Sequence, residues 1–112
     1  MKNLDMIPGT LDEAVEMLYK NLTEAEKNYI KQLDNMTEYH HNIGRLIRNG
    51  WGLWNQDSMI TKYFRETYDI THADDISSMI LDNLLAKLKK EEYNPFTAAK
   101  KFIDYWKDMN IQ

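Results

Sequence analysis

Between His40 and Trp54 the chain gathers most of the side chains that could do chemistry: His40 and His41, Arg45 and Arg48, Asn49, Trp51 and Trp54, set among Gly44, Gly50 and Gly52. Arg45 and Arg48 can each grip a carboxylate or a phosphate through two parallel N–H donors. They can equally pair with acids on neighbouring helices, where an exposed pair contributes little. Trp51 and Trp54 are the residue type that anchors partner surfaces, and with Leu53 they can also fill the end of a small core. Gly44 inside a helix costs about 1 kcal/mol relative to alanine. That cost is accepted where a ligand, another backbone or a packed helix must come close. The set expected to contact a partner is therefore His41, Arg45, Arg48, Asn49, Trp51 and Trp54.

Catalytic and metal readings are thinner. Glu38 and His41 match the Glu-x-x-His spacing of carboxylate-bridged metal bundles, but such bundles use the pair twice with two further glutamates, and no second pair occurs here. Adjacent histidines also diverge by about 100° around a helix. Neither a metal nor a cofactor is expected. His72-Ala73-Asp74-Asp75 offers a histidine and two carboxylates that could work as acid and base with the His41 face. More simply, Asp74 caps a helix and Asp75 sits at its positive end. An enzyme built on this chain would use His41, Arg45 and His72 around a small acidic substrate. No nucleophile elbow, phosphate-cradling loop or dinucleotide fingerprint is present, so no catalytic residue is assigned.

The elements that must carry these residues read as helices. Thr10-Leu11-Asp12-Glu13 has the form of a capping box, and Leu11, Ala14, Val15, Leu18 and Leu22 follow on one stripe. Thr23-Glu24-Ala25-Glu26 repeats the start signal for a helix over 24–34. Thr37 is expected to cap a third helix, with Tyr39, Ile43, Leu46 and Ile47 inward and Glu38, His41, Arg45 and Arg48 on a polar stripe. Asn49-Gly50 should stop it in the left-handed conformation. Asp57 or Ser58 starts a fourth helix bearing Ile60, Tyr63, Phe64 and Thr67. Asp74 should cap a fifth, whose apolar face (Ile76, Ile80, Leu81, Leu84, Leu85, Leu88) is the widest in the chain and marks it as central. Pro95 makes Asn94 a boundary, and Ala99, Phe102, Ile103 and Trp106 define a last helix over 96–109. The expected fold is all-α, a compact bundle of about six short to medium helices. It forms a single domain over 10–109 behind an N-terminal extension over 1–9.

Composition narrows the function classes. The 112 residues are 43% hydrophobic and 29% charged with no cysteine, so disulfides, thiolate metal sites and a thiol nucleophile are excluded, and a cytoplasmic location is the expectation. No stretch approaches the roughly 20 apolar residues of a membrane span, and the first ten residues lack the apolar run of a signal peptide. A net charge of −4 and a pI near 5.3 disfavour binding along a phosphate backbone. Yet 41–54 holds two of the three arginines and no acid, which keeps one nucleic-acid alternative open: the third helix and its glycine turn acting like part of a helix-turn-helix.

Three segments carry a resemblance: Leu11-Asp12-Glu13-Ala14-Val15, Arg45-x-x-Arg48-Asn49-x-x-Gly52-Leu53-Trp54 and His72-x-Asp74-Asp75-x-Ser77. Over roughly residues 7 to 90 the chain resembles a family of small bacterial proteins known only as a domain of unknown function. This chain has Leu46 where members often carry Trp and Asn42 where they often carry Gly. The resemblance implies the domain and its central segment and names no reaction. The leading expectation is a protein-binding module of accessory, immunity-like or phage-encoded inhibitor type without catalytic activity of its own, its oligomeric state left open.

Overall fold

The computed structural model describes residues 6 to 110, and within them the chain forms seven helices: α1 (Leu11–Asn21), α2 (Glu24–Lys31), α3 (Thr37–His40), α4 (Ile43–Gly50), α5 (Met59–Tyr68), α6 (Ala73–Lys89) and α7 (Pro95–Asn110). No strand occurs among the described residues. Residues 1–5 of the expected extension lie outside them. Of the remainder, Pro8 is buried and Gly9 lies against Met59.

Local capping chemistry sets several helix starts. The Thr10 hydroxyl accepts the Glu13 N–H at 3.1 Å. Thr23 and Glu26 form the reciprocal pair: Oγ1 accepts the Glu26 N–H at 3.1 Å, and the Glu26 carboxylate accepts the Thr23 N–H at 2.7 Å. That backbone donor holds the Glu26 carboxyl below its ordinary range. Thr23→Ala removes one half of the pair and is expected to lower stability by about 1 kcal/mol, read as a shifted urea midpoint at unchanged slope. Ser58, not Asp57, caps α5. The side chain of Asn94 accepts from Phe96 and Thr97 N–H groups at the start of α7.

Four local expectations are corrected. The all-α bundle of about six helices is as expected, but its third helix breaks at His41-Asn42 into α3 and α4. Thr37 is the first residue of α3 rather than its cap, and Asn35 accepts the Thr37 N–H instead. Gly50 stays helical, and the left-handed residue is Gly52 at φ +67°, where the Leu53 N–H reaches back to the Arg48 carbonyl at 3.0 Å. Asp74 lies in the first turn of α6, whose N-cap is His72 without a side-chain bond. In addition, α2 ends at Lys31, short of residue 34.

α6 is the axis of the assembly and touches every other helix. Ten of its residues are buried on several sides, from Ala73 and Ile76 to Leu88, the pattern of a helix surrounded by protein rather than floating on it. One contiguous apolar core runs from Leu11 in α1 through Trp51, Phe64 and Met79 to Ala99 in α7. The Cα radius of gyration is 13.8 Å, close to the roughly 13 Å of a folded domain this long.

Candidate functional site

The break at His41-Asn42 decides which way the suspected residues face. It resets the helical phase, so Ile43, Gly44, Ile47 and Arg48 turn inward on α4, followed by Trp51. Leu46, expected inside, is 57% exposed. His41, Arg45 and Asn49 are exposed; Arg45 and Asn49, four apart on α4, align along one ridge, and His41 lies at the break that precedes it. The Gly52 turn then brings Trp54 to the end of that ridge, where its indole N–H donates to Asn49 Oδ1 at 3.1 Å and the ring remains 61% exposed. Arg45 makes no hydrogen bond or ion pair among the described residues. The suspected set thus divides: His41, Arg45, Asn49 and Trp54 with Leu46 outside, Arg48 and Trp51 inside.

Arg48 is 8% exposed and serves the fold. Its Nη1 donates to Ser77 Oγ at 2.9 Å, its second terminal nitrogen reaches the His40 carbonyl at 3.4 Å, and its Nε pairs with Asp74 Oδ1 at 3.4 Å. The His40 carbonyl is available because the helix breaks one residue later. Ser77 in turn donates to the Asp74 carbonyl at 3.0 Å. The arginine segment and the His-x-Asp-Asp-x-Ser segment therefore meet as an internal clamp between α4 and α6. Arg45 and Arg48 do not act side by side on a nucleic-acid strand in this arrangement.

A second grouping went unseen in the sequence. Trp106 of α7 stacks on the His72 ring, with centroids 3.9 Å apart and planes 16° from parallel, while its indole N–H donates to Asp75 Oδ2 at 2.8 Å. Burial pushes the Asp75 carboxyl up, against the opposing pulls of the Trp106 N–H and His72. A half-buried indole needs an acceptor, and an acid placed early in α6 was the signal that could have found it. These residues with Thr71 and Ile103 line a cleft of about 310 Å³. Neither His41 nor Arg45 lines it, so the His41, Arg45 and His72 set is not gathered there. Glu38 accepts the Tyr29 hydroxyl at 3.0 Å, and that bond lifts the Tyr29 phenol above its ordinary value. Among the described residues no three histidine, aspartate or glutamate side chains gather as a metal site.

These features define an all-helical domain pinned by a polar clamp around a central helix, with a tryptophan-tipped ridge on one side. The chain belongs to the family described as Domain of unknown function (DUF6794), whose model matches residues 7–88. The match takes in α1 to α5 and all but the last residue of α6, so α7 lies beyond it. No curated protein and no solved structure matches the chain. No helix among the described residues is long and apolar enough to cross a membrane.

Proposed function

We propose that this domain is a protein-binding module, of accessory or inhibitory kind and working in the cytoplasm, that engages its partner through the ridge of Arg45, Leu46, Asn49 and Trp54 together with the exposed His41 before it. The observation that carries this reading is Trp54: a large indole held in place by Asn49 yet left mostly in water beside an exposed leucine. Fixing an aromatic ring in solvent gains the fold little, and such a ring needs little further ordering when a partner pocket closes over it. Arg45, uncommitted within the domain, adds a forked donor for a carboxylate on that partner. The favoured partner surface is an apolar pocket flanked by acid.

The test uses a partner captured by the intact chain and the variants Trp54→Ala and Arg45→Ala. Truncating an anchor of this type costs about 2 kcal/mol or more, roughly thirtyfold in Kd. Both variants should keep the helical circular dichroism of the parent. Undiminished binding by the double variant would reject the ridge.

A further inference from the structure

Away from the ridge, a second cleft of about 400 Å³ opens where the connection into α3 faces the middle of α6 and one side of α7, lined by Met36, His40, Ser78, Leu81, Asp82 and Phe102. Its size falls within the range of small-ligand sites. Its wall divides by chemistry. Met36 and Leu81 are buried and Phe102 half-buried, giving an apolar side. Ser78 and Asp82 stand one turn apart on α6 and so share a face. Across from them, His40 Nδ1 lies 3.4 Å from Ser78 Oγ, a long contact for a hydroxyl and a ring nitrogen.

Asp82 is the feature that selects a ligand. Its carboxylate makes no hydrogen bond or ion pair among the described residues. Asp82 is exposed at the cleft mouth, and where protein borders it the loss of water pushes its carboxyl up despite the charges of His40 and of Lys101 on α7. A solvent-facing carboxylate that has no donor among the described residues and stands beside an apolar wall is open to pairing with an incoming cation that carries an apolar body. A bare metal ion is a poor candidate, because one carboxylate and one imidazole leave most of its coordination unfilled. An anion would meet the Asp82 carboxylate at the cleft mouth with the wrong sign.

We propose that this cleft binds a small organic cation, an ammonium group on a short aromatic or apolar body. The ammonium sits at Asp82, within reach of the Ser78 hydroxyl, and the body lies along Phe102, Leu81 and Met36. The aromatic wall adds attraction for a ring through edge or offset stacking. Met36, Leu81 and Asp82 lie within the part of the chain that matches the family, and Phe102 of α7 lies beyond it. The site is independent of the protein-binding ridge and stands if that reading fails.

The experiment titrates the full isotope-labelled chain at neutral pH with phenethylammonium, following backbone amide signals by NMR. Phenylacetate and N-acetyl-lysine methylamide serve as comparison ligands. Saturable shifts at His40, Ser78, Asp82 and Phe102 are expected with phenethylammonium and not with phenylacetate. Asp82→Asn should weaken binding roughly tenfold or more, the value of a lost charge-assisted bond, while Glu66→Gln, an exposed acid outside the cleft, leaves it unchanged. Absence of saturable shifts up to about 10 mM, a threshold weaker than millimolar affinity, would overturn the proposal, as would undiminished binding by Asp82→Asn. Equal or tighter binding of the lysine derivative would overturn the assignment to a free aromatic amine in favour of a protein side chain.

Discussion

Trp51→Ala should lose about 3–5 kcal/mol of stability, whereas Trp54→Ala, three residues along, should change it by less than about 0.5 kcal/mol. Trp51 is 0% exposed and among the largest wholly buried side chains. It closes α4 over the core, and its removal leaves a void that the surrounding helices can only partly fill. The left-handed Gly52 then redirects the backbone, so that Trp54 emerges on the other side. A domain of this size has a total stability of about 5–15 kcal/mol, so the first variant forfeits a large fraction of it. Trp51→Phe refines the comparison. The Trp51 indole N–H is buried and has no partner among the described residues, a condition that itself costs about 1–3 kcal/mol. Phenylalanine keeps much of the apolar area and sheds that donor, so its loss should be less than half that of alanine. Urea denaturation of the three variants reads all of this. Equal losses at 51 and 54 would mean that the turn does not sort the two rings.

What the sequence made legible was local. Thr10, Thr23 and Ser58 announce helix starts because the donors they satisfy lie two or three residues away, and no distant part of the chain is needed to settle them. The centrality of α6 was also readable, since its apolar residues cover too much of the helix to belong to a surface element. The facing of α4 was not. Its inward stripe is Gly44, Ile47, Arg48 and Trp51, and an arginine in that stripe makes sense only once Asp74 and Ser77, more than twenty residues later, are seen to receive it. Leu46 was misplaced for the same reason: without the break at His41-Asn42 the helical phase carries it inward. Both clefts lay beyond local reading as well, because each takes one wall from α7 and another from segments at least twenty residues earlier.

The clamp behind that misreading gives the second large effect. Arg48→Ala should lower stability by about 2–3 kcal/mol, since it strips an acceptor bond from buried Ser77 and the donor from the His40 carbonyl; the Asp74 pair adds little because that carboxylate is largely exposed and returns to water. Arg48→Lys should recover only part of the loss, having no planar fork to serve several partners at once. Gly44 belongs to the same device. A Cβ there would stand 2.8 Å from Arg48 Nη1, the atom bonded to Ser77, whereas Leu81 and the Tyr39 carbonyl at 3.6 Å leave it room. By helix propensity alone Gly44→Ala should gain about 1 kcal/mol. In the parent chain it must instead displace the guanidinium and is expected to cost about 1 kcal/mol. In an Arg48→Met background, which keeps the apolar stem and removes the forked head, the same substitution should turn stabilising. The cycle then yields a coupling of about 2 kcal/mol, within the span seen for residues in contact. The same sign in both backgrounds would show that Gly44 is not there to seat the arginine.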